Sequence, residues 1–216
     1  HIPKRLKRVP LKPIDRTIAR HIPSKASVKA VWRLLDLAHE NTKNGPFVAH
    51  ARVLQDRALF LFCVGGGLRV SEIIHLRIED IDTSSTTPVL RIRSDHAKRY
   101  KARSVALPNV KRTREILDDV TRGREKSEYV LVTSNGKTFC AEEINRRLRR
   151  LFRRIGAPPV YTVHAFRRYY ATRALEEGIP VEVLSRQMGH ADLSTTMQYT
   201  NTMNRVVACG SVDDGE

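Results

Sequence analysis

Apolar residues recur at helical spacing in two stretches of the first third of the chain. The first stretch predicts a helix over residues 27 to about 41, with a buried side formed by Val28, Val31, Trp32, Leu35 and Ala38. The second predicts a helix from about residue 50 to 64. Its closing run ALFLFCV is apolar on all sides, which predicts burial. An Asn-Gly-Pro turn at 44–46 separates the two helices.

The periodicity changes from helical to alternating in the middle of the chain. Residues 88–93 and 103–107 alternate around a polar segment, which predicts an antiparallel hairpin. We then expect a polar surface helix over about 111–121 and a short apolar strand at 129–132, followed by a Ser-Asn-Gly turn. The next helix is predicted over 141–155. Its buried stripe consists of Ile144, Leu148, Leu151, Phe152 and Ile155.

Short predicted helices alternate with turns between residues 161 and 199. Thr162 stands where it can cap a helix that carries His164 and Arg167 one turn apart on the same face. A Gly-Ile-Pro break follows. The helix after the break is predicted to stop at Gly189, directly before His190.

The last predicted helix begins after Asp192 and carries Thr196 and Tyr199 three residues apart. Together these elements predict an α+β fold that is mainly α-helical, with a small antiparallel β-hairpin or sheet. Polar side chains fall at the starts and ends of the elements, where they can converge on a ligand.

The charge balance indicates what the chain binds. It carries 39 lysines and arginines against 23 acidic residues, for a net charge of +16. Such an excess favours a polyanionic partner, although a generically basic soluble protein has the same balance. Six arginines crowd the predicted helix over 141–155: Arg146, Arg147, Arg149, Arg150, Arg153 and Arg154. Without neutralising acids they favour a track for phosphates over a merely solvated face.

Length and cysteine usage narrow the class further. The 216 residues, of which 41% are hydrophobic, suit one substantial domain entered by a basic, proline-bearing arm at 1–23. No run of about 18 apolar residues predicts a membrane span. The three widely spaced cysteines suit a reducing, cytoplasmic compartment and match no zinc pattern.

Two boxes of polar residues stand at fixed spacings. The first is GLRVSEI at 67–73. The second combines His164-x-x-Arg167, a following Ala-Thr, Gly189-His190 and, nine residues after that histidine, Tyr199. In this order and at these spacings they resemble the two boxes of the tyrosine recombinases, the phage-integrase family. The resemblance implies a site-specific recombinase or integrase that cleaves and rejoins DNA through a covalent 3′-phosphotyrosine.

The resemblance implies a role for each polar residue. Tyr199 would attack the scissile phosphate with no metal, ATP or other cofactor. Arg69 and Arg167 would stabilise the non-bridging oxygens, because guanidinium groups are planar and permanently charged. His190 would donate a hydrogen bond to one of these oxygens, and His164 would accept the tyrosine proton.

A hairpin lysine completes the set. Lys101-Ala102-Arg103 resembles the K-x-R that follows this lysine in the family, and counting back places Lys98 as the acid that protonates the leaving 5′-oxygen. Lys101 is the competitor, and a plain phosphate-contacting hairpin tip is the alternative. Glu72 is expected to orient the arginines without reacting. The expected DNA contacts are Lys101, Arg103, Arg146, Arg147, Arg150 and Arg154.

The same resemblance implies double-stranded DNA as a partner, and other protomers in a DNA-bound tetramer. Residues 1–23 would be the arm from a missing N-terminal core-binding domain, and 24–216 the catalytic domain, acting on nucleoid DNA in the cytoplasm. Two alternatives stay open. A type IB topoisomerase shares the tyrosine chemistry but lacks a histidine at the position of His164, and a non-catalytic DNA-binding relative should have lost at least one of the polar residues.

Overall fold

The computed structural model describes residues 22–93 and 102–189. Within these ranges seven α-helices surround a small antiparallel sheet, so the predicted α+β, mainly helical fold class is confirmed. The helices are α1 Lys25–Thr42, α2 Phe47–Val64, α3 Val70–His75, α4 Val110–Thr121, α5 Ala141–Arg154, α6 Val163–Glu176 and α7 Val181–Met188. The strands are β1 Ile81–Asp82, β2 Val89–Ile92 and β3 Arg103–Ala106, and a short 3-10 helix, Ile78–Asp80, precedes β1.

Helix α1 follows its predicted pattern. The Ser24 hydroxyl accepts a hydrogen bond from the Ser27 backbone N–H at 3.1 Å, which caps the first turn. Val28, Val31 and Leu35 are buried, as their spacing predicts. Helix α2 begins a few residues earlier than expected, directly after Pro46. Its last two turns are buried on every side, as the run ALFLFCV indicates.

The predicted hairpin is confirmed. Strands β2 and β3 pair antiparallel with Leu90 opposite Val105, and β1 adds a short third strand at the outer edge of β2. Leu90, Ile92 and Val105 are buried, so one face of the sheet lies on the core. The predicted tip of the hairpin falls in 94–101, outside the described residues.

The strand expected at 129–132 was wrong as a regular element. Only two isolated bridges occur there within the described residues, Arg77 with Tyr129 and Val132 with Thr138. The segment first pairs with the connection after α3 and then with its own turn, closed at Gly136 with φ +74°. Because its partner changes, no continuous ladder forms. Helix α4 also differs from expectation, since it is not a polar surface helix: Thr113, Ile116, Leu117 and Val120 are buried.

An aromatic cluster joins α2, α5 and α6. Phe152 lies between Tyr161, with ring centroids 4.7 Å apart, and Phe166, at 5.5 Å. The Phe166 ring also meets Phe60 of α2 edge-on at 5.6 Å. Edge-to-face contacts of this kind stabilise a core beyond the area they bury. Helix α6 is thereby fixed on the core, with its polar residues at a defined place.

Helix α7 packs on α6 through a smaller cluster of Leu184 and Met188 with Ala171 and Ala174. It ends at Gly189, whose φ of +62° is the left-handed conformation that glycine adopts without strain. This confirms the predicted stop. Across the described ranges, every helix is too short or too polar to cross a lipid bilayer.

Candidate functional site

The glycine turn before α3 determines where Arg69 lies. Gly67 has φ +56°, and a Cβ atom added there would lie 2.4 Å from Cδ1 of Tyr170. Only glycine fits this close approach of the turn to α6. The turn directs Leu68 into the core and places Arg69 at the start of α3.

Glu72 holds Arg69 from one turn further along α3. Its Oε2 accepts the Arg69 backbone N–H at 2.8 Å, and its Oε1 accepts Arg69 Nη1 at 3.0 Å. Burial, the largest single influence, would raise the pKa of Glu72. The hydrogen bonds and charges of Arg103 and Arg69 outweigh it and lower the pKa below its ordinary value. The carboxylate is therefore ionised at neutral pH and orients Arg69.

Arg103 lies elsewhere than its expected role as a DNA contact requires. Its side chain is only 8% exposed, and Nη1 and Nη2 donate to the two oxygens of Glu72 at 2.7 and 3.0 Å. Its Nε donates to the carbonyl oxygen of Gln187 at 2.6 Å. These three bonds all go to protein groups, because β3 places the side chain between α3 and α7. These contacts argue against the expected role of Arg103 as a DNA contact.

Arg167 is buried in the second turn of α6. Its Nη1 donates to the carbonyl oxygen of Gly67 at 2.6 Å, and its Nη2 donates to that of Met188. Arg167, one turn after His164 on α6, therefore contacts two other segments of the chain, the glycine turn before α3 and the end of α7. The predicted cap of this helix differs: Thr162 makes no side-chain cap bond, and Asn145 of α5 accepts the Val163 N–H at 3.0 Å instead.

The arginines meet at the C-terminal end of α7. Arg103, Arg167 and Arg69 donate to three consecutive carbonyl oxygens, those of Gln187, Met188 and Gly189. The last carbonyls of a helix lack intrahelical partners and carry the negative end of its dipole, so cations stabilise them. Three arginines from three elements are thus brought to one place, directly before position 190.

His164 lies on the exposed side of α6, one turn before Arg167. Partial loss of hydration, followed by the charges of Arg168 and Arg167, lowers the pKa of the His164 imidazole from its ordinary value. The ring is therefore neutral at pH 7. A neutral imidazole can accept a proton, which is what a general base requires.

The arginines of α5 divide into two groups. Arg147 is buried, and its Nε donates to Asp56 Oδ1 at 2.7 Å, which ties α5 to α2. This buried ion pair argues against the expected role of Arg147 as a DNA contact, because it holds the side chain in the core. The prediction that no acids neutralise the arginines of α5 was wrong, because Asp56, Glu142 and Glu143 form ion pairs with arginines of this helix. Arg146, Arg150 and Arg154 are exposed.

The remaining site residues lie outside the described ranges. These are Lys98, Lys101, His190 and Tyr199. In the sequence, β2 and β3 stand on either side of 94–101, and the Gly189 that caps α7 directly precedes His190.

Two residues that sequence reasoning did not single out as functional support this site. The Tyr170 hydroxyl donates to Gln187 Oε1 at 2.8 Å, which links α6 to the last turn of α7. Tyr170 also lies against Gly67. The only sequence signal was the glycine run at 65–67, which indicates a close backbone approach without naming the group approached.

A separate polar cluster has ligand types suited to a metal. Among the described residues, single ligand atoms of His39, Glu115 and Asp119 lie within 4.8 Å of one another. Arg57 occupies this cluster: its Nη1 donates to His39 Nδ1 at 3.0 Å and its Nη2 to Glu115 at 3.0 Å. A buried guanidinium already supplies the positive charge, so the cluster fits an ion-pair network joining α1, α2 and α4 better than a metal centre.

Comparison with known proteins connects this geometry to a family. The family model described as "Phage integrase family" matches residues 29–205. The tyrosine recombinase XerA of Pyrococcus furiosus is 35% identical over 150 residues, which cover 68% of this chain and 50% of that protein. XerA of Thermococcus kodakarensis is 30% identical over 186 residues, covering 85% of this chain and 60% of that protein. The chain thus spans about half to three fifths of these relatives' lengths.

Solved structures share the fold. A crystal structure of XerA recombinase superposes with a TM-score of 0.66 at 22% identity, over 90% of this chain and 66% of that chain. XerH site-specific recombinase bound to difH substrate in a pre-cleavage complex gives a TM-score of 0.61 at 16% identity, over 89% of this chain and 53% of that chain. At these identities the solved structures show only that the fold is shared. The match to the family model shows that the chain is a member of the family. The chain belongs to the phage integrase family.

Proposed function

We propose that this protein is a site-specific DNA recombinase, which cleaves and rejoins DNA through a covalent 3′-phosphotyrosine formed by Tyr199. The observation that carries this proposal is the convergence of Arg69 and Arg167. They lie far apart in the sequence, yet their guanidinium groups donate to the adjacent carbonyls of Gly189 and Met188, directly before position 190. A pair of preorganised guanidinium forks suits the extra negative charge of a phosphoryl transition state.

In the proposed reaction the Tyr199 oxygen attacks the scissile phosphorus while His164, neutral at pH 7, accepts its proton. Arg69, Arg167 and His190 stabilise the non-bridging oxygens. The bond to the 5′-oxygen breaks as Lys98 gives it a proton, which leaves a 5′-hydroxyl and a 3′-phosphotyrosine. Attack by a 5′-hydroxyl reverses these steps, so the ester stores the bond energy and rejoining needs no ATP.

Double-stranded DNA is the proposed partner. Exposed Arg146, Arg150 and Arg154 of α5, together with Lys101, are the proposed phosphate contacts, in keeping with the net charge of +16. XerH and the Tn1549 transposon integrase, which share the fold, are both known in complexes with DNA. Because exchange between duplexes needs paired cuts on each, we propose that protomers act in a DNA-bound tetramer.

Trapping covalent complexes in the protein's own host tests the function and finds its site. The protein is isolated under denaturing conditions, and the DNA ends attached to it are sequenced. We expect a small set of recurring sequences, each joined through a 3′-phosphate. Attachment scattered without sequence preference, with relaxation of supercoils, would favour a type IB topoisomerase, and no attachment would favour a non-catalytic DNA-binding protein.

Replacing the proposed general acid should produce a leaving-group-specific defect. We expect Lys98→Ala to slow cleavage of ordinary DNA by about 10²–10⁴-fold, because a departing 5′-alkoxide needs a proton. DNA with sulfur as the bridging 5′ atom should be cut at nearly the parental rate, since a thiol of pKa about 8.5 leaves without one. Single-turnover cleavage of both substrates measures the difference.

Arg69→Ala is the control for this rescue. Its defect should persist on the sulfur substrate, because Arg69 serves the non-bridging oxygens. Rescue of Lys101→Ala in place of Lys98→Ala would assign the role to Lys101. Rescue of neither would contradict a lysine acid and make His190 the next candidate.

A further inference from the structure

Arg103 joins three parts of the site with one side chain. It is the first residue of β3, and Ala102 separates it in the sequence from residues 94–101, which include Lys98 and Lys101. Its guanidinium forks the Glu72 carboxylate and donates to the Gln187 carbonyl. The strand that leaves the hairpin is thus fixed to α3 and to the end of α7 at the same point.

Arg103 completes the hydrogen bonding of Glu72. Each carboxylate oxygen accepts one bond from Arg69 and one from Arg103: Oε1 from the two Nη1 groups, and Oε2 from the Arg69 backbone N–H and Arg103 Nη2. A carboxylate has about four acceptor positions, so these bonds leave no freedom for the group to turn. The orientation of Arg69 therefore depends on a residue 31 positions downstream of Glu72.

The end of α7 rests directly on the same guanidinium. A Cβ atom added at Gly189 would lie 3.0 Å from Arg103 Nη1 and 3.1 Å from its Cζ. Gly189 therefore serves both the positive φ of the helix stop and close contact with Arg103. The backbone that continues into position 190 leaves from this contact.

We propose that Arg103 is a positioning residue that acts through Glu72 on Arg69 and through Gln187 on the end of α7, without touching DNA. This inference rests on the proposed function, in which Arg69 stabilises the scissile phosphate and Arg103 holds Arg69 in the orientation that this role requires. It assigns to Arg103 a role in the rate of cleavage and none in the grip on DNA.

The pH dependence of cleavage distinguishes positioning from simple structural support. Among the described residues, the charged groups that contact the Glu72 carboxylate are Arg69 at the start of its own helix and Arg103 of β3. From α6, the titratable residues Arg167 and Tyr170 contact Gly67 of the neighbouring glycine turn. Burial raises the pKa of Glu72 and Arg103 lowers it, so removing Arg103 should raise the pKa of Glu72. Activity that needs ionised Glu72 is then lost at a higher pH as the solution is acidified.

The test compares Arg103→Met with the parent chain on the recovered DNA site. We expect single-turnover cleavage to fall on the order of 10²-fold, the effect of a misplacement of about 1 Å. The slope of log K against log salt should stay unchanged, whereas Arg154→Ala should lessen it by about 0.9, one phosphate contact. As the pH falls, cleavage by Arg103→Met should be lost at a higher pH than cleavage by the parent. In Arg103→Met/Glu72→Gln this additional loss should disappear, because a carboxamide does not titrate, and only the loss caused by protonation of His164 should remain.

Arg124→Met is the matched control, since Arg124 also binds a glutamate and backbone carbonyls, none of which belongs to the proposed site. Its Nε and Nη2 both donate to Glu128 Oε2, and its Nη2 and Nη1 donate to the carbonyl oxygens of Tyr129 and Val130. It should alter thermal stability but neither the cleavage rate per folded molecule nor its pH profile. Arg103→Lys keeps the positive charge, so it should restore the parental loss of rate at low pH. It should restore only part of the cleavage rate, because lysine cannot donate to both oxygens of the carboxylate in the bidentate manner of arginine.

Carbon-13 NMR titration of Glu72 in the full chain, without DNA, separates this inference from the proposed function. A raised Glu72 pKa in Arg103→Met supports positioning even if the parent forms no covalent adduct, which would sink the recombinase proposal alone. An unchanged Glu72 pKa, together with a salt slope reduced by one contact, would overturn the inference and return Arg103 to the DNA-binding set.

Discussion

Tyr199→Phe should abolish the covalent protein–DNA adduct while leaving DNA affinity nearly unchanged. Loss of one hydroxyl removes the only nucleophile of the proposed reaction, but it removes no charge that grips phosphate. The measurement uses a nicked duplex that carries the recovered site, so that the 5′-end is lost after cleavage and the adduct accumulates. Denaturing gels in the presence of a chelator follow the adduct, and a binding isotherm at fixed salt follows affinity.

Tyr129→Phe is the control for this experiment. The Tyr129 hydroxyl accepts a hydrogen bond from Arg77 Nη2 at 3.4 Å, and its ring lies under the same guanidinium, so its described contacts are with Arg77 and not with Arg69, Arg103 or Arg167. This variant should form adduct at the parental rate. Full adduct in Tyr199→Phe, or an adduct at a 5′-phosphate, would rule out Tyr199 as the proposed nucleophile.

The sequence predicted most of the fold because each long element carries its own pattern. The apolar spacing of α1 and α5 and the alternation of β2 and β3 are local signals, and the structure confirms them. The segment at 129–132 failed for a physical reason. Its apolar residues Val130 and Leu131 are buried, but its backbone changes partner along its length, and periodicity carries no information about partners.

The site was predicted as a set of residues but not as an arrangement. Arg69 and Glu72 are neighbours on one helix turn, so their pairing could be anticipated from spacing. The bonds from Arg103 to Glu72 and from Arg167 to Gly67 cross 31 and 100 residues, and only the packing of β3 and α6 creates them. Because these contacts are long-range, the sequence alone could not show that the Arg103 side chain is buried against Glu72.

Arg147 shows where the pattern contained more than the prediction used. It directly precedes Leu148 and stands three residues after Ile144, so it borders the buried stripe of α5. Its partner Asp56 precedes the apolar run of α2, where an acid is equally out of place. Two opposite charges on the edges of two buried faces could have indicated an ion pair. What no spacing could show is that the two helices meet at these residues.

Arg167→Ala should reduce single-turnover cleavage by at least 10²–10³-fold, the effect of removing about 3–4 kcal/mol of preorganised stabilisation from a developing oxyanion. Arg69→Ala should lose as much. Arg154→Ala should instead weaken binding and flatten its salt dependence, with little change in the rate of bound complexes.

Arg167 is buried, so its loss also leaves the carbonyls of Gly67 and Met188 without their donor, and the melting temperature must be measured beside the rate. Arg167→Lys separates the two effects. It restores the charge and one donor but not the fork, so it should regain stability while cleavage stays far below the parental rate. Equal recovery of stability and cleavage in Arg167→Lys would mean that Arg167 only supports the fold. Cleavage that stays low in a stable Arg167→Lys protein would leave the bidentate guanidinium, held at the end of α7, as the group the reaction needs.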